Sequence, residues 1–151
     1  MAIRVSFENQ TDIGIYSRLT NRYCLVGAGS DTFSKAFEDE LAGVMPVISC
    51  TIGNSKQVGV MTVGNKNGLL VHPNTTDSEI QTLKEQLPSS VKVQRVDEKF
   101  NALGNVITCN DFIALCHPEI DITTEQVIVE VLQVEVYKTT IAGQPLVGSY
   151  C

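Results

Sequence analysis

No stretch of this chain approaches the ~20 consecutive apolar residues of a membrane-crossing helix, so no such span is expected. The opening MAIRVSFENQ lacks the long apolar core of a secretion signal, which leads to an expectation of residence in the cytosol or the nucleus. There is no C-x-x-C pair and no histidine at zinc-finger spacing, so no metal site is expected. Basic residues are scarce: 11 Lys and Arg stand against 17 Asp and Glu, a net charge of −6. That balance argues against a broad grip on phosphate backbone, and leaves docking on basic proteins open. The one loop with the right flavour for phosphate, GNKNG at 64–68, lacks the G-x-x-x-x-G-K-[ST] spacing and runs into a strand where a helix is needed. No cofactor is expected. Nor does any linker or low-complexity tract divide the chain, so residues 1–151 read as one domain.

What the chain does have is a core and a period. Hydrophobic residues make up 43% and charged residues 19%, the balance of a globular protein. Five cysteines, Cys24, Cys50, Cys109, Cys116 and Cys151, are odd in number and widely spread. They read as reduced, mostly buried thiols without an intramolecular disulfide. Gly14, Gly59, Gly104 and Gly148 recur at intervals of 45, 45 and 44 residues, each after a bulky apolar residue. Eleven residues past the first three stand Leu25, Leu70 and Leu115. Such a period is the mark of a repeated supersecondary unit too small to bury its own sheet and helix.

Each unit has the same coarse pattern. IGIYSRL, VGVMTV and LGNVIT read as first strands, each begun by a flexible glycine. Polar turns lead to second strands YCLVGA, LLVH and FIALCH. A helix follows: Phe33, Phe37 and Leu41 mark the first, Ile80, Leu83 and Leu87 the second, Val127, Ile128, Val131 and Leu132 the third. Thr76 with Glu79 reads as a capping box, and Thr123 with Gln126 as its copy. PVISCTI, VKVQRV and VEVYKTTI close the units as third strands. The repeats fall at about 1–52, 53–96 and 97–141, with the start of a fourth at 142–151, so the chain reads as a truncated array.

His72-Pro73 and His117-Pro118 also repeat, which marks them as scaffold: proline disfavours helical geometry in the residue before it and sets the turn. Cys116 and His117, as strand neighbours, point to opposite faces and cannot pair as nucleophile and base. No catalytic residue is assigned. Asn65, Lys66 and Asn67 read as an exposed polar turn tip. Asn105 puts an amide where its counterparts are Ile15, Val60 and Ser149, as a contact residue or as a tie to its own backbone.

Three stretches, MAIRVSFENQTDIGIYSRLTNRYCLV, VGNKNGLLVHPNTTDSEIQTLKEQLP and ALGNVITCNDFIALCHPEID, together with PLVGSYC, closely resemble the eukaryotic translation initiation factor 6 family. The resemblance implies a pentein-type α/β propeller of ~45-residue strand–strand–helix–strand repeats, five in a ring, of which this chain holds three and the start of a fourth. It implies a monomeric, non-enzymatic factor that binds the large (60S) ribosomal subunit and sterically keeps the small subunit away. Assistance to large-subunit maturation and export is part of the same role. The implied partners are basic ribosomal proteins, with minor rRNA contact, and the release factors of the maturation pathway. Candidate ribosome-contact residues are Asn65, Lys66, Asn105 and Tyr150, with Gly14, Gly59, Gly104 and Gly148 as structural repeat glycines. Two alternatives stand beside it: a guanidine-modifying enzyme of the same fold with a Cys/His/carboxylate site, or a generic protein-binding scaffold.

Overall fold

The computed structural model describes residues 3–151. It is a mixed α/β structure with three separate three-stranded sheets of identical topology. In the first, β1 (Ser17–Leu19) pairs antiparallel with β2 (Cys24–Gly27), which pairs parallel with β3 (Val47–Cys50). The second sheet has β4 (Thr62–Gly64), β5 (Gly68–Val71) and β6 (Lys92–Arg95), and the third β7 (Ile107–Cys109), β8 (Ile113–Cys116) and β9 (Glu135–Lys138). The tight antiparallel turn and the helical crossover to a parallel strand are the two connections such pairings require.

The crossover helices are α2 (Asp31–Leu41), α4 (Asp77–Gln86) and α6 (Ile122–Leu132), each between the second and third strand of its sheet. The apolar stripe of α4 packs Leu83 and Leu87 against its own Leu69 and Val71, and also against Leu25, Ile48 and Cys50 of the preceding sheet. Likewise α6 sets Ile128, Val131 and Leu132 among Ala114 and Cys116 of its own sheet and Val63 and Leu70 of the one before. Each helix therefore fills the gap between consecutive sheets, and neither sheet has a closed core alone. The first helix has no preceding sheet here and packs with Phe7, Cys24 and Val26, where Phe7 stacks on Tyr16 at 4.2 Å between ring centres.

Two expectations need correction. The first half of each supposed first strand is a four-residue helical turn: α1 (Ile13–Tyr16), α3 (Val58–Met61), α5 (Leu103–Val106) and, at the end, α7 (Val147–Tyr150). Short apolar runs do not distinguish strand from helix by pattern. The capping box on α4 is present in both directions, Thr76 to the Glu79 N–H and Glu79 to the Thr76 N–H. Its supposed copy at Thr123 and Gln126 lies within α6, whose N-cap is Asp121 with no side-chain cap bond.

Candidate functional site

The four short helices stand side by side at one end of the first strands, and their glycines make that contact. A β-carbon on Gly59 would overlap the Gly14 carbonyl oxygen and sit 2.5 Å from that of Ser17. One on Gly104 would overlap the Gly59 carbonyl, and one on Gly148 the Gly104 carbonyl. These glycines do not have positive φ. Their role is close backbone approach, not the conformational freedom expected from their position at a strand start. Gly14, first in the series, has no atom within 4 Å of an added β-carbon.

This row of helices borders a cavity of about 620 Å³. The residue after each glycine, Ile15, Val60, Asn105 and Ser149, lines it. Asn105 is half-buried; its backbone N–H bonds the Ala102 carbonyl at 3.0 Å, while its side-chain amide has no protein hydrogen bond among the described residues. The alternative of a local side-chain tie is therefore not what the geometry provides. Tyr150, on α7, is 59% exposed, whereas its register counterparts Tyr16, Met61 and Val106 pack against the sheets of their own units; the described residues hold no fourth sheet to cover it.

At the other end of the first strands lie the three hairpin turns, and sequence reasoning misjudged them. Asn65 is not exposed at a turn tip; it is 3% exposed. Its Nδ2 donates to the carbonyls of Asn110 (3.1 Å) and Leu132 (2.8 Å), and its Oδ1 accepts from the Asn67 and Gly68 N–H groups. Every arm of the amide is used within the protein, which removes Asn65 from the candidate contact residues. Thr20 and Asn110 do the same turn-closing job, each accepting from the N–H groups two and three residues on. The 45-residue spacing of Thr20, Asn65 and Asn110 was the available signal. Lys66 is half-buried; its Nζ lies 5.5 Å from the centre of the exposed Phe112 ring. Asp111 joins the turns, accepting from Asn21 Nδ2 at 2.6 Å and the Lys66 N–H at 3.1 Å. Lys66 and Asn105 are thus at opposite ends of the short strands and do not form one surface.

Neither histidine lines the cavity, and Asp12 is its one acidic lining residue. His72 Nδ1 accepts from the Asn74 N–H at 3.1 Å and His117 Nδ1 from the Glu119 N–H at 3.0 Å, so both close His-Pro turns. All five cysteines are free thiols. Burial pushes Cys50 and Cys116 up to about 12 and Cys24 and Cys109 up to about 11, the wrong direction for a nucleophilic thiolate. Among the described residues no cluster of His, Cys, Asp and Glu could hold a metal ion.

Residues 2–151 match the family described as the eIF-6 family. The chain is 54% identical over 151 residues to eukaryotic translation initiation factor 6 of Drosophila melanogaster, covering 99% of this chain and 62% of the relative. Its counterpart in Saccharomyces cerevisiae is 55% identical, and eukaryotic translation initiation factor 6-2 of Arabidopsis thaliana 53%, each over 100% of this chain and 62% of the relative. The chain thus spans a little over three-fifths of the length of these curated relatives.

Proposed function

The chain belongs to the eIF-6 family, and from that premise we propose that it docks on the large ribosomal subunit and prevents premature joining of the small one. The mechanism is steric. A rigid body on the joining face excludes the other subunit by volume and needs no bond-making step, so the protein works without catalysis. In the same role it accompanies late maturation and export of the large subunit, moving between nucleolus, nucleus and cytoplasm. Its partners are basic ribosomal proteins with minor rRNA contact, and the factors that release it. The net charge of −6 favours that choice of partner, because complementary potentials steer association.

The architecture that goes with this function is a pentein-type propeller whose repeats, about 1–52, 53–96 and 97–141 with a fourth begun at 142–151, turn about 72° each, as five units in a ring require. Close glycine-to-carbonyl packing between neighbouring units supports the rigidity this mechanism needs.

The docking surface is the end bearing the short helices, with Asn105 and Tyr150 in contact. The observation that carries this choice is the Asn105 amide, half-buried in the cavity lining without a protein partner among the described residues. Co-sedimentation with purified large subunits tests it. Retention of Asn105→Ala and Tyr150→Ala at wild-type levels, together with loss of Lys66→Ala, would move the contact to the hairpin end.

A further inference from the structure

Arg18, on β1, is the one basic residue lining the central cavity. Its Nη2 donates to the carbonyl oxygens of Gly59 and Thr62, the latter at 2.7 Å, so the guanidinium crosses from the first sheet to the second. Nη2 alone has protein acceptors; Nε is out of contact with solvent and has none. No carboxylate lies within ion-pair distance of Arg18 among the described residues. Burial draws the guanidinium below its usual range, and the Cys109 thiol and Tyr23 hydroxyl are titratable groups close enough to act on it. Arg18 is half-buried, and its guanidinium has no counter-charge and one solvent-shielded N–H without an acceptor, a cost that an anion nearby would offset.

The surroundings suit such an anion. The cavity, about 620 Å³, far exceeds the roughly 30 Å³ occupied by one water. Thr108 and Ser149 bring hydroxyls to its wall, while the Ser17 hydroxyl is taken up in donating to the Ile13 carbonyl at 2.8 Å. Its one acidic residue, Asp12, is exposed. At the hairpin end the Asn21–Asp111 bond draws the first and third turns together.

We propose that the floor of this cavity is an oxyanion site centred on Arg18, taking a phosphate-sized anion from solution. A guanidinium fork matches the paired oxygens of such an anion better than it matches chloride. The anion meets Nη1, which has no protein acceptor among the described residues and is not shielded from solvent, while Nη2 keeps its two carbonyls.

The test is a titration of the full chain, labelled with ¹⁵N-arginine, with inorganic phosphate against sodium chloride at matched ionic strength and pH. The Arg18 Nε–H resonance, assigned by its loss in Arg18→Lys, is expected to shift saturably with phosphate, while those of Arg4, Arg22 and Arg95 do not. Thermal stability should rise with phosphate beyond the chloride control. In Arg18→Gln the phosphate affinity should fall by about tenfold or more, the scale of a lost charge-assisted hydrogen bond. A response equal to that in chloride, one centred on another arginine, or one that survives Arg18→Gln overturns the site. Should Arg18→Gln not fold, the wild-type resonances decide alone.

Discussion

Glu79 and Glu98 belong to different elements, yet each carboxylate accepts the backbone N–H at the start of a crossover helix. Glu79, in α4, takes the Thr76 N–H at 2.8 Å; Glu98, in the loop before α5, takes the Asp121 N–H at 3.1 Å. Thr124 occupies the helix position 45 residues after Glu79, so the carboxylate has moved from helix to loop. The loops explain the exchange. Gly53 and Asn54, both at positive φ, form a two-residue hairpin turn between Ile52 and Ser55 that presents its N–H groups to Glu79. The corresponding stretch at 97–100 has no such bridge among the described residues, and Glu98 reaches the helix instead. Both solutions satisfy an N–H group that a helix start leaves open.

Glu79→Gln should destabilise the protein by about 2 kcal/mol, because Thr51, Gly53, Asn54 and Thr76 all donate to this one carboxylate. Burial alone would raise its pKa, but these hydrogen bonds outweigh burial and hold it below the usual value. A depressed folded pKa gives stability that is complete above the ordinary Glu value of about 4.3 and is lost as pH falls through the lower folded value. Urea melts between pH 7 and pH 3 check this. Parallel pH curves for wild type and Glu79→Gln would count against it.

Thr124→Val tests the other side of the exchange. The Thr124 hydroxyl and Glu98 Oε1 are both buried without a partner. Replacing a hydroxyl that makes no bond by a methyl group of similar shape should leave stability unchanged or raise it by up to about 1 kcal/mol. Thr51→Val, which deletes the 2.6 Å bond to Glu79, should cost about 1–2 kcal/mol. Equal losses in the two variants would mean that the Thr124 hydroxyl has a partner in solution.

Gly104→Ala and Gly14→Ala separate close approach from intrinsic backbone preference. An alanine at 104 overlaps the Gly59 carbonyl and comes within 2.9 Å of that of Thr62, so a loss of about 3 kcal/mol or more is expected. At 14, where an added β-carbon meets nothing, alanine favours the helical turn and should change the stability of this chain by less than about 1 kcal/mol. Thermal melts of both variants decide. Similar melting points would show that the glycine contacts do not set the spacing of the units.

Asn105→Ala and Tyr150→Ala should each weaken large-subunit binding by about 1–2 kcal/mol, roughly 5- to 30-fold, without lowering the melting temperature. In this chain neither side chain is tied into the fold: the Asn105 amide has no protein hydrogen bond among the described residues, and Tyr150, the second residue from the end, is mostly exposed. Lys66→Ala, at the hairpin end, should leave binding unchanged. Co-sedimentation read beside thermal melting distinguishes a contact from a folding defect.

Much of the fold was legible because it depends on local chemistry. The capping box at Thr76, the apolar stripe of α4 and the His-Pro turns each need only neighbouring residues. The helical turns at Ile13, Val58 and Leu103 were read as strands because four residues carry too little periodicity to separate the two. The candidate site was less legible, since its features depend on distant partners. Asn65 has a polar side chain, which suggests solvent, but its acceptors lie 45 and 67 residues away. Arg18 gave no sign of its role, because the carbonyls it meets are 41 and 44 residues distant.

By itself the sequence determined the repeat and its length, since the period is carried by residues that recur in register. It also determined the kind of element in most of each unit and the family, through runs of specific residues. Only the tertiary structure decided why the glycines recur. Stacking the units brings one backbone onto the next, and that contact exists only between copies. It likewise decided which polar side chains remain free to bind, because an amide's availability depends on whether packing has brought it acceptors: Asn65 has them and Asn105 does not.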